Sequence, residues 1–98
     1  MTKKLTRLIA TIKQQLPRLT ADYGVESLAV FGSYVRSEER PESDLDILVT
    51  FERPVGLIRL VSLENELSDL LGITIDLVPK TALKPHVAAN ALREAIPV

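Results

Sequence analysis

Two aspartates, Asp44 and Asp46, stand one residue apart in SDLDILVTF, a stretch that otherwise reads as a hydrophobic strand. A third, Asp76, sits in another such stretch, ITIDLVP. Strand residues two apart project to the same side, with Cα atoms about 6.5–7 Å apart. If the two strands are neighbours, three carboxylates converge on one patch. Clustered anions repel and raise each other's pKa, so a fold gathers them around something positive. Carboxylate oxygens suit Mg²⁺, a hard cation that also takes phosphate oxygens. Two such ions about 3.5–4 Å apart serve in-line displacement at phosphorus, one on the attacking oxygen and one on the leaving oxygen. The plainer alternative is a turn aspartate followed by the solvated face of a half-buried strand. The third aspartate weighs against it.

Gly32-Ser33 adds a second feature. The pair follows an apolar stretch and precedes a short polar segment. Glycine lets backbone approach a ligand closely. Serine is a good helix N-cap, and a helix N-terminus offers free N–H groups to phosphate. No Gly-Lys-Ser/Thr follows, so this is not a Walker A loop. Gly24 and Gly72 have ordinary explanations as helix stops. His86, the single histidine, is expected on the surface or at a helix cap. Lys80 and Lys84 are expected in a solvated loop. Tyr34 either stacks on a base or packs.

The elements that must position these residues are legible as periodic patterns. Leu5, Leu8, Ile9, Ile12, Leu16 and Leu19 form one apolar stripe at helical spacing. Pro17 is expected to kink or restart that helix. Val25–Phe31 is a strand, and Val35–Glu42 a helical turn followed by loop. Asp44–Phe51 alternates, with Leu45, Ile47, Val49 and Phe51 on one face and both aspartates on the other. Leu57, Leu60, Val61, Leu63, Leu67, Leu70 and Leu71 make a second amphipathic helix. Ile73–Val78 is a third strand, and Pro85 opens a last helix. The order predicts one α/β (α+β) domain over residues 1–98: a small mixed β-sheet flanked by helices.

Composition narrows the class. The chain has 98 residues, 46% hydrophobic and 26% charged, which fits one ordinary globular domain. Twelve basic against 13 acidic residues leave a net charge of −1, which gives no global grip on nucleic acid or an anionic membrane. There is no cysteine, hence no disulfide framework and no thiolate metal site. No apolar run is long enough to span a bilayer. A soluble, cytoplasmic protein is the expectation.

Phe31-Gly32-Ser33, Arg36, Pro41 and Ser43-Asp44-x-Asp46-x-x-Val49, with ten residues between Ser33 and Asp44, resemble the nucleotidyltransferase superfamily. Its best-known fold relative is the palm of DNA polymerase beta. The fuller string is similar to the minimal nucleotidyltransferases, MNT-type antitoxins paired with HEPN-domain toxins. The resemblance spans nearly the whole chain. It implies that Gly32 and Ser33 hold a triphosphate, that Asp44 and Asp46 ligate Mg²⁺, and that Asp76 is the third carboxylate, accepting the proton of the attacking hydroxyl. It places Arg36 near the phosphates or as a brace for the loop. The alternative for Arg36 is a surface ion pair with Glu39 or Glu42. One departure is visible: relatives often have glycine after this arginine, and here Ser37 stands there.

The resemblance further implies AMP transfer from ATP, on a two-ion Mg²⁺ site, to a hydroxyl of a partner protein. That partner would be a HEPN toxin, a ribonuclease silenced when its tyrosine receives AMP. The motif-bearing layer uses almost all of the chain, so the acceptor is expected on a second chain, either a toxin or another copy in a homo-oligomer. Two alternatives stand beside this. One is an antitoxin that acts by binding alone; the other is a metal-dependent nuclease using the same carboxylates.

Overall fold

The computed structural model describes residues 1–98, in the order α1 (Lys3–Tyr23), β1 (Val25–Phe31), β2 (Leu45–Phe51), α2 (Leu57–Leu71), β3 (Ile75–Pro79), a 3₁₀ turn (Lys80–Ala82), α3 (Pro85–Glu94) and β4 (Ile96–Pro97). The strands form one mixed sheet in the order β3-β2-β1-β4. β1 is antiparallel to both neighbours, whereas β2 and β3 run parallel, joined through α2 as a βαβ unit.

α1 starts where Thr2 accepts a hydrogen bond from the Leu5 N–H at 3.1 Å, and it ends at Gly24 in the left-handed region. The helix continues through Pro17 and does not restart there. Pro17 and Lys13 are both exposed, so the missing backbone hydrogen bond falls on the solvent side of the helix. The apolar stripe does what its spacing predicts: Leu5, Ile12 and Leu19 are fully buried. They pack with Leu63 and Leu67 of α2 onto Leu28, Val30, Leu45, Ile47, Val49, Ile75 and Leu77 of the sheet.

Two strand details depart from simple alternation. Val25 and Leu28 are three residues apart yet both buried. A bulge at Glu26 explains this: Val25 pairs with Phe51 and Ser27 with Thr50, so one extra residue on β1 restores the phase. β3 begins at Ile75 rather than Ile73. The Ile73 carbonyl accepts from Ser68 Oγ at 2.6 Å, and the Thr74 carbonyl accepts the Leu45 N–H at 3.0 Å. These bonds hold the residues before Ile75 in the turn. The outer edge of β3 is protected where Glu64 accepts the Leu77 N–H at 2.9 Å.

α1 and α2 cover one sheet face. By alternation, Asp46 and Leu48 of β2, and Asp76 of β3, lie on the other. There Leu48 and Ala91 of α3 are buried outside the main cluster. No helix is long and apolar enough to cross a membrane.

Candidate active site

Parallel pairing of β2 with β3 sets Asp46 directly opposite Asp76. The apolar faces fix this register. Leu45, Ile47 and Val49 are buried against the same core as Ile75 and Leu77, and a one-residue slip would turn every one of them outward. Asp44 sits one residue before β2 and is exposed, as is Asp76; Asp46 is half-buried. The sheet therefore brings the three expected carboxylates to one end of adjacent strands. They do not close into a ready three-ligand cage for one ion.

Asp46 feels the arrangement most. Its carboxyl is pushed up from 3.8 to about 6, first by burial, then by the charge of Asp76, by hydrogen bonding with Asp76 and by the charge of Asp44; Arg36 opposes the rise. Donor chemistry here fits Mg²⁺. The oxygens are hard, and Mg²⁺ needs only one or two carboxylates when substrate phosphates complete its shell.

Gly32 ends β1 with φ +84°, a conformation that favours glycine. A Cβ on Gly32 would lie 2.9 Å from Asp46 Cγ and closer still to Oδ2. Any side chain here would be strained and would force the Asp46 carboxylate to move. The Gly32 carbonyl accepts from Val35 and Arg36 at 3.0 and 3.2 Å, and the Ser33 carbonyl accepts from Glu38 at 2.9 Å. The helical turn expected here is a single hydrogen-bonded turn, which begins at Ser33 rather than Val35. The Ser33 and Tyr34 N–H groups at its start have no acceptor within the chain. Tyr34 is buried in the core beneath Lys4, whose Nζ lies 5.4 Å from the ring centre, so it packs and anchors the turn.

Arg36 pairs with neither Glu39 nor Glu42. Its Nη1 donates to Glu94 Oε1 and Oε2 at 3.0 and 3.1 Å, and its Nε donates to Glu38 at 3.3 Å. Glu94, then Glu38, raises the guanidinium's already high pKa. Glu94 also accepts the Gly32 N–H at 2.8 Å. Sequence reasoning missed this residue, because nothing in a C-terminal Arg-Glu-Ala signals a contact 62 residues back along the chain. Ser37 has φ +58°, left-handed backbone at the position where relatives often carry glycine. The departure noted from the sequence is therefore a point of strain.

His86 and Lys84 are exposed at the start of α3. Lys80 follows β3 about 13 Å along the strand from Asp76, so it does not face the carboxylates. A cleft of about 630 Å³, lined in part by Phe51, Pro54, Leu57, Leu60 and Pro79, lies at that same far end.

Residues 10–98 match the family model described as a nucleotidyltransferase domain, and the chain belongs to that family. It is 47% identical over 74 residues to the protein adenylyltransferase MntA of Thermococcus cleftensis, covering 76% of this chain and 75% of that protein. A solved structure assigned as a minimal nucleotidyltransferase superposes with a TM-score of 0.74 at 39% identity, over 95% of this chain and 90% of the other. The fold, without close sequence likeness, recurs in the complex of a tri-AMPylated Shewanella oneidensis HEPN toxin with its MNT antitoxin. That match has a TM-score of 0.61 at 18% identity and covers 96% of this chain and 67% of that chain.

Two outcomes follow for the metal-free protein. The folded chain holds a proton on Asp46 that the unfolded chain releases. Its stabilising contribution is complete below pH 3.8 and is lost as pH rises through about 6. In urea melts with EDTA, Asp46→Asn should therefore gain on wild type as pH rises from 3.8 through about 6, and the gain should level off above that. A pH-independent difference would contradict the charge assignment. Ser37→Gly relieves left-handed strain and should stabilise by about 0.5–1 kcal/mol once glycine's greater unfolded-state entropy is subtracted, read as a raised Tm.

Proposed function

We propose that this nucleotidyltransferase transfers AMP from magnesium-bound ATP to a hydroxyl on a partner HEPN-domain toxin, and so acts as its antitoxin. The observation that carries the reading is the Asp46–Asp76 register beside the Cβ-free Gly32. It supports a site built for a triphosphate next to a divalent cation. The protein adenylyltransferase relative and the AMPylated-toxin complex support AMP as the transferred group and a HEPN protein as its acceptor.

Asp44 and Asp46 would hold the magnesium, which when bound would offset the repulsion among the three carboxylates and the charge of the phosphates. The start of the Ser33–Ser37 turn presents the Ser33 and Tyr34 N–H groups, and the Ser33 hydroxyl beside them can donate to a phosphate oxygen. Asp76, exposed at the rim, is free to accept the proton of an incoming hydroxyl. Gly32 supplies space rather than a donor, because its N–H is already bound by Glu94. A hydroxyl attacks the α-phosphate and pyrophosphate leaves. The chain's own work is positioning and preorganised donors.

Incubation with ATP labelled at the α-phosphate, magnesium and a co-expressed HEPN-domain protein should label that protein and raise its mass by one AMP. Asp46→Asn should abolish labelling. Suppression of toxicity without label would show that binding suffices. RNA cleavage by the isolated chain, lost in Asp46→Asn, would replace the reading with a nuclease.

A further inference from the structure

We infer that Glu94 is a positioning residue for the phosphate-binding turn, an inference that rests on the nucleotidyl-transfer reading above. One carboxylate oxygen of Glu94 accepts both the Gly32 N–H and Arg36 Nη1, at 2.8 and 3.0 Å. The Glu94 side chain is 23% exposed, so the pair is partly shielded from water. Through one side chain, the C-terminal end of α3 clamps the first residue of the turn and the cation four residues on.

Strand geometry explains why the carboxylate sits there. The Val98 N–H donates to the Leu28 carbonyl at 3.0 Å, and Val30 pairs with Ile96. Leu28 therefore faces β4, and so do Val30 and Gly32, each two residues further on. Continued antiparallel pairing would set Gly32 opposite Glu94. The ladder has already ended, because α3 ends at Glu94 and β4 starts at Ile96. The Glu94 side chain takes the place of the absent main-chain acceptor. The Gly32 N–H thus points toward β4, on the opposite edge of β1 from Asp46. Glu94 is a brace on the back of the turn, not an anion in the phosphate position.

The brace has two consequences. It fixes the peptide leading into Ser33, which sets where the free Ser33 and Tyr34 N–H groups aim. It also holds Arg36 near enough to Asp46 for its charge to be felt there, while cancelling a carboxylate charge that would otherwise repel triphosphate. Arg36 and Glu94 thus act as a unit.

The test is affinity for magnesium with the non-hydrolysable analogue AMP-PNP, by calorimetry well below each variant's Tm, together with kcat and KM for transfer. Glu94→Ala should weaken binding about ten-fold, the loss of a charge-assisted hydrogen bond. Glu94→Gln, whose amide oxygen still accepts from Gly32, should recover part of that affinity. Arg36→Ala should weaken binding by itself but add little in the Glu94→Ala background. KM should rise more than kcat falls. A merely structural role would lower Tm in all variants and leave the affinity of folded protein unchanged, which would overturn the inference; so would tighter binding by Glu94→Ala. If Glu94→Ala does not fold, the Gln variant carries the comparison. Wild type that ignores the magnesium nucleotide overturns the transferase reading and this inference together. Wild type that binds, with Glu94 variants that bind equally well, overturns this inference alone.

Discussion

Repulsion between Asp46 and Asp76 is the constraint around which the rest of the molecule is arranged. Two carboxylates set opposite each other on neighbouring strands, one of them half-buried, are unfavourable in isolation. The pairing persists because the same strands bury Leu45, Ile47, Val49, Ile75 and Leu77 on the reverse face. Fully burying side chains of that size stabilises by about 1.5–3 kcal/mol each, more in sum than a pair of partly solvated charges costs. The apolar face enforces the register, and the register enforces the charge cluster. Core and site are thus two sides of one sheet.

The loop side of the site obeys the same economy of space. Gly32 is buried, left-handed and pressed against the Asp46 carboxylate, so its missing side chain is what lets β1 end beside the acidic pair. Its N–H is engaged from behind by Glu94, which also holds Arg36. The turn is pinned from below by the buried Tyr34. Donors left free at the start of the turn are therefore fixed in direction before any ligand arrives, which is where preorganisation gains affinity.

Much of this was legible in the sequence. The apolar stripes of α1 and α2 and the alternation of β2 are periodic over enough residues to declare their faces, and the aspartates fall on the face opposite the apolar one. Gly32 stood out as a glycine without a helix to stop, and Ser37 as a departure from the family pattern; the backbone gives both a left-handed geometry. What the sequence withheld depends on tertiary context. Exposure of Pro17 lets a helix tolerate it. The bulge at Glu26 appears only when β1 is paired with β2. The two-residue β4 is too short to carry a period, so neither the sheet edge nor the placement of Glu94 opposite Gly32 was visible. Arg36 had several acidic neighbours in sequence, and its main partner came instead from the far end of the chain.

On this reading the Asp46–Asp76 pair is a divalent-cation site completed by nucleotide phosphates. Crystals grown with AMP-PNP and Mn²⁺ in place of Mg²⁺ test it most directly through anomalous scattering. A peak should appear within ligating distance of Asp46 and of a nucleotide phosphate oxygen, and be lost in Asp46→Asn crystals. Ordered nucleotide at the Ser33 turn with no peak beside Asp46, or a peak elsewhere on the molecule, would contradict it.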